Sequence, residues 1–126
     1  MKRETAEHIH RAAELLLVSR NDLNAGFPAD SVSRSYYAMF HAATGLLLEQ
    51  GIERKSHKAL LSAFSEFVVK KGLLDTRYHN YFHKAFEARH DCDYLSIPKE
   101  TCEGATVMLQ RATEFVAACR ALLENG

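Results

Sequence analysis

The sequence is poor in the residues that interrupt or staple a chain. It carries two prolines, Pro28 and Pro98, and six glycines in 126 residues. No Gly/Ser-rich linker, internal repeat or low-complexity tract is present. The three cysteines, Cys92, Cys102 and Cys119, are too few and too irregularly spaced for a disulfide framework or a zinc knuckle. Their odd number fits a reducing compartment. Charge of one sign is not in excess: 16 Lys and Arg face 16 Asp and Glu. That balance argues against a strongly basic nucleic-acid binder, although it leaves local patches open. No apolar run approaches the roughly 18 residues of a membrane span. The charged start, Met1 to His8, lacks the apolar stretch of a signal peptide. No membrane partner and a cytoplasmic location are therefore expected.

What is there is ordinary globular material. With 47% hydrophobic and 25% charged residues, the chain is too apolar for disorder. A single domain over residues 1–126 is expected, large enough to fold without disulfides or metal. Gly26 with Pro28, then Gly51, Gly72 and Pro98, divide the chain into about five segments of helical length. Apolar residues recur with the helical period in each. The stripes are Ile9, Ala12, Ala13, Leu16 and Leu17; Val32, Tyr36, Met39, Phe40, Ala43 and Leu47; Leu60, Leu61, Phe64, Phe67 and Val68; Tyr78, Phe82, Ala85 and Phe86; and Ala105, Met108, Leu109, Ala112, Phe115, Val116 and Cys119. Asp30, Ser56 and Asp75 are candidate N-caps for the second, third and fourth helices. Ser96 is the expected start of the last, with Pro98 in its first turn and Glu100 near its positive end. Gly51 and Gly72 are expected C-terminal stops. Gly45 and Gly104 fall inside helical patterns, where they permit close packing. Strand-like alternation is absent. The expected fold is all-α, an antiparallel up-and-down bundle of about five helices.

The zero net charge is unevenly assembled. Residues 1–52 hold five basic and six acidic groups, a net of −1; residues 53–84 hold seven and three, a net of +4; residues 85–126 hold four and seven, a net of −3. The middle stretch also carries His57, His79 and His83. Its basic character fits either solvated helix faces or a phosphate-bearing partner.

Three groupings carry possible chemistry. In a helix, Tyr37 and His41 share one face beside Arg34, either as interhelical hydrogen-bonding residues or as a binding surface. His79, His83 and Glu87 form a stripe of metal-ligand types. Three ligands from one straight helix converge poorly on an ion, so no metal site and no cofactor are expected. Arg89-His90-Asp91-Cys92-Asp93-Tyr94 gathers a cation, an imidazole, carboxylates and a phenol at a helix end. Cleavage of a phosphodiester by its adjacent 2′-hydroxyl needs a base, an acid and a cation for the phosphorane. Arg89 supplies the cation, and His90 is an imidazole, the side-chain type suited to acid and base work near neutral pH. Arg89 and Asp93, four apart, also make a natural structural ion pair.

The ordered set Ser35-Tyr36-Tyr37-Ala38-Met39-Phe40-His41-Ala42-Ala43, then Ser56-His57, then Phe64 to Val69 ahead of Lys71-Gly72, then Arg89 with Asp93-Tyr94 and a long final helix resembles the HEPN domain. More narrowly, it resembles the small stand-alone HEPN proteins of bacteria and archaea. The resemblance spans nearly the whole chain. It implies a helical bundle that forms a two-fold homodimer. Many family members are metal-independent ribonucleases; others are nucleotide-binding or scaffolding modules. Small prokaryotic members are often encoded beside a minimal nucleotidyltransferase, the pair acting as toxin and antitoxin. In the nuclease members a polar residue follows an Arg, a His stands a few residues later, and two protomers join these motifs in a cleft. Arg89 fits the motif Arg and His90 the polar position. The motif His is replaced: Tyr94 stands five residues after Arg89, and a phenol titrating near roughly 10 is a poor base at neutral pH.

The resemblance therefore implies a component of a HEPN/nucleotidyltransferase toxin–antitoxin pair that acts on RNA. Arg89, His90, Asp93 and Tyr94 are its candidate catalytic residues. Arg89, Arg34, Tyr37 and His41 are its candidate nucleotide- or phosphate-binding residues. The alternative is a catalytically inactive module that binds a nucleotide or a partner. The residues leave the endoribonuclease and binding readings both open.

Overall fold

The computed structural model describes residues 1–97 and 99–125. Five α-helices follow one another, α1 (Arg3–Asn24), α2 (Pro28–Glu49), α3 (His57–Phe64), α4 (Thr76–Tyr94) and α5 (Cys102–Asn125). They form the all-α bundle that the periodicity predicts.

α1 and α2 make a long antiparallel hairpin. Gly26 turns the chain at φ +89°, a conformation that costs glycine nothing. The Phe27 N–H can then donate to the Asp22 carbonyl at 2.8 Å, and the Gly26 N–H to Leu23 at 3.1 Å, which closes α1 in a Schellman turn. Pro28 opens α2 at once, where its missing N–H is harmless. Asp30 is therefore not the cap expected of it. It stands in the first turn of a helix that has already begun, where its charge suits the positive end. Further along the hairpin, the Lys2 N–H donates to Glu49 Oε1 at 2.8 Å. Near that same end, α1 crosses Gly45 so closely that a Cβ there would lie 3.1 Å from the Thr5 carbonyl oxygen and 3.2 Å from His8 Cβ. Near the turn, the buried Ser19 hydroxyl bonds Ser31 Oγ at 2.9 Å and Ser35 Oγ at 2.8 Å.

The Ser56 hydroxyl accepts the Ala59 N–H and the Asp75 carboxylate accepts the Arg77 N–H, so both act as the expected caps. α3 runs into a π-helical turn, Ser65–Val69, closed by the Lys70 N–H on the Ser65 carbonyl at 2.9 Å. α5 opens later than expected. Thr101, not Ser96, caps it by accepting the Gly104 N–H at 3.0 Å. Gly104 accordingly lies in the first turn rather than the helix interior, and Pro98 lies outside the described residues. α5 and α4 pack against α2, and α1 also touches α5.

The core is aromatic at its centre. Phe64, Phe82 and Phe115 have ring centres 5.1–5.7 Å apart, and Tyr36, Met39 and Leu47 are fully buried around them. Each large apolar side chain removed from water stabilises the fold by roughly 1.5–3 kcal/mol. The α1 stripe differs from expectation: Leu15 is in the core, while Leu17 is 66% exposed. Among the described residues no helix is long and apolar enough to cross a membrane.

Candidate functional site

The end of α4 brings Arg89 back against α2. The Arg89 side chain is only 11% exposed. Its guanidinium carbon lies 5.1 Å from the Tyr36 ring centre, 5.8 Å from Tyr37 and 5.9 Å from Phe86, a bed of rings that attracts a cation. Nη1 donates to Asp93 Oδ2 at 3.1 Å, the pair expected from their spacing. Arg89 Nε is buried with no hydrogen-bond partner among the described residues. A guanidinium keeps its charge at any ordinary pH. The site therefore holds a nearly buried cation whose hydrogen-bonding capacity is not exhausted.

His57, the first residue of α3, completes this arrangement. Its Nδ1 lies 2.6 Å from the Tyr36 hydroxyl. Its ring packs against Tyr36 at 5.7 Å, Tyr37 at 5.9 Å and Phe40 at 4.8 Å. Arg89 and His57 thus share the same two phenol rings. Burial, and then the Arg89 charge, hold the imidazole below its usual range, with Asp93 partly opposing them. Burial pushes the Tyr36 phenol up, against a smaller opposing pull from Arg89, so Tyr36 keeps its proton. Neither Tyr36 nor His57 stands among the sequence candidates for the site. The available signal is a tyrosine on a core stripe, because a buried hydroxyl requires a partner.

The other candidates are distributed unevenly. Tyr37 lies at Arg89, as described. Arg34 is half-exposed and sits 3.9 Å from Asp22. It shares with Asp93 a cleft of about 510 Å³ that also includes Asp30, Cys92 and Glu100. Three carboxylates against one guanidinium make that cleft acidic. Burial first, and then Glu100 and Asp93, push the Cys92 thiol up to about 11. The cleft is accordingly a poor place for a phosphate, and the favourable charge lies beside it, on the aromatic bed. His41 faces α1, with its Nδ1 2.9 Å from His8 Nδ1, rather than joining Arg89. His90 and Tyr94 pack with tilted rings, centres 4.6 Å apart, on the strip of α4 next to Arg89 and Asp93, and Tyr94 is 72% exposed. His79 and His83 stack at 6.1 Å, and His83 pairs with Glu87 at 3.4 Å. Among the described residues no group of three or more His, Cys, Asp or Glu side chains is placed to hold a metal ion.

Comparison with known proteins places this geometry in context. The HEPN domain family profile matches residues 5–122. A Methanocaldococcus jannaschii protein named "Putative toxin MJ0605" is 30% identical over 122 residues, covering 97% of this chain and 86% of the relative. A UPF0332 protein of Gloeobacter violaceus is 33% identical over 117 residues, covering 92% and 93%. The crystal structure of TT1696 from Thermus thermophilus superposes with a TM-score of 0.80 over 96% of this chain and 99% of that one. At 17% identity, that likeness concerns the fold.

Proposed function

The chain belongs to the HEPN family, and from that premise we propose that it is a toxin-type HEPN protein that acts on RNA through Arg89. The observation that supports this reading is the guanidinium itself: almost buried, set on three aromatic rings, and with Nε unpartnered. Such a cation stabilises charge developing on a phosphorane. In the reaction, the RNA 2′-oxygen forms a bond to phosphorus and the P–O5′ bond breaks. The proton lost by the 2′-hydroxyl ends on the departing 5′-oxygen. Asp93 is the carboxylate held at Arg89, while His90 and Tyr94 flank it as proton-handling groups. The name of the Methanocaldococcus relative supports a toxin role. The partners are a second copy of the chain, which joins two Arg89 sites in a cleft, and a nucleotidyltransferase antitoxin. The setting is the cytoplasm.

A second reading, a catalytically silent module that binds RNA or a nucleotide, is favoured by one specific observation. The motif histidine position holds Tyr94, which is largely exposed and packs against the His90 ring. Expression in a bacterial host separates the two. The toxin reading expects growth arrest that Arg89→Ala abolishes. Arrest of equal strength from both forms removes Arg89 from the mechanism. RNA binding without arrest or cleavage selects the silent module.

A further inference from the structure

Tyr36 is fully buried, and its hydroxyl has one partner among the described residues, His57 Nδ1. A buried phenol that keeps its proton must donate it, or leave an unmade hydrogen bond that costs about 1–3 kcal/mol. If Nδ1 carried the imidazole proton, the phenol would have no acceptor. Tyr36 therefore donates, Nδ1 accepts, and the neutral ring carries its proton on Nε2. Nε2 has no hydrogen bond among the described residues and is not one of the buried unpartnered atoms. His57 also sits at the start of α3, where the helix dipole favours an anion over a cation. Its sequence neighbours Arg54, Lys55 and Lys58 are all exposed.

We infer that His57, fixed by Tyr36 as the Nε2–H tautomer, is a second phosphate-ligating group beside Arg89 and donates from Nε2 to a non-bridging oxygen of the RNA backbone. The inference rests on the reading of Arg89 as an RNA phosphate site. The two groups contribute differently. Arg89 brings charge. His57 brings a directed neutral donor, because burial, and then the neighbouring guanidinium, disfavour the imidazolium.

That difference is measurable. Binding of a short 2′-O-methyl RNA, which lacks the attacking hydroxyl, is followed across a salt series. His57→Ala is expected to weaken binding roughly 10-fold with the salt slope unchanged, since a neutral donor releases no counterion. Arg89→Ala weakens binding and also lowers the slope by about 0.7 per phosphate lost. His57→Gln, which keeps a donor near the Nε2 position, restores most of the affinity. Nitrogen-15 spectra of the free protein are expected to show Nε2 protonated, and Tyr36→Phe is expected to mix the tautomers. Unchanged affinity in His57→Ala, a reduced slope in that variant, or an Nδ1–H tautomer in the wild type each overturns the inference. If instead Arg89→Ala leaves affinity and slope untouched, the reading of Arg89 itself fails, whatever His57 does.

Discussion

His41 and His57 invite comparison because they look alike one at a time. Each is half-buried at a helix contact and uses Nδ1 for a single hydrogen bond, to His8 at 2.9 Å or to Tyr36 at 2.6 Å. Burial is the main cause that holds each below the usual imidazole range, and a nearby arginine adds to it. Their neighbours differ. The arginine near His41 is Arg11, half-exposed and within 3.6 Å of Glu14. The arginine near His57 is Arg89, almost buried and with Nε unpartnered. The partner of His41 is another imidazole, so the pair shares one proton across its bond. The partner of His57 is a phenol that does not release its proton. A depressed histidine is therefore no mark of a ligand site in itself; the unspent cation beside it is what distinguishes the two.

The largest stability effect should come from forcing the His8–His41 contact apart without touching the Arg89 site. Gly45→Ala puts a methyl 3.1 Å from the Thr5 carbonyl oxygen and 3.2 Å from His8 Cβ. Backbone lies on one side, so α1 must give by a few tenths of an ångström; overpacking costs about 1–3 kcal/mol, against the roughly 1 kcal/mol that Ala gains over Gly inside a helix. Urea unfolding should show a lower midpoint with an unchanged slope. RNA affinity, measured well below that midpoint, should stay at the wild-type level. A variant that loses RNA binding while still folded would show that the two histidine regions are coupled.

A smaller effect separates the pairs by pH. His41 is lowered from 6.5 to about 4, so on acidification the unfolded chain takes up this proton before the folded one. The pair's contribution is complete above pH 6.5 and drains away as pH falls toward 4. With partial exposure discounted, the loss is on the order of 1–2 kcal/mol. Stability curves of wild type and His41→Ala should converge over that interval as acid removes what the substitution has already removed. Curves that run parallel would assign the acid sensitivity elsewhere.

Local pattern carries the architecture further than it carries the site. Stripes on α2 to α5 lie where the helical period puts them. α1 has four apolar residues in a row, Leu15 to Val18, and periodicity alone does not choose which of them faces inward. The choice is made by Thr5 and Ser19, small polar residues buried at the α2 contact. The start of α5 escapes the pattern for a related reason: Ser96 and Thr101 are equally good caps in sequence, and only one has a helix behind it. The Arg89–Asp93 pair is legible because i and i+4 meet on any helix. The Tyr36–His57 bond joins residues 21 apart on different helices, so no local spacing announces it.

The smallest effect gives the finest test of what sets His57 apart. Asp93 occupies Arg89 Nη1 at 3.1 Å, with its side chain 35% exposed. Arg89 is only 11% exposed, but Asn keeps an oxygen that can accept from Nη1, so Asp93→Asn should lower the unfolding midpoint by the equivalent of about 1 kcal/mol. It should also change the site in two ways. The carboxylate competes with phosphate for the guanidinium, so its neutralisation should raise affinity for a 2′-O-methyl RNA by about two- to fivefold, within the range of a weak exposed pair. The same charge now props up the His57 imidazole against Arg89, so its loss should move the His57 titration further down while His41 stays where it is. Affinity that falls instead would mean that Asp93 holds Arg89 in its binding pose, and that the cation is spoken for after all. If affinity rises while growth arrest disappears, binding and proton transfer belong to different members of the cluster, with Arg89 and His57 gripping the backbone and Asp93 handling the proton.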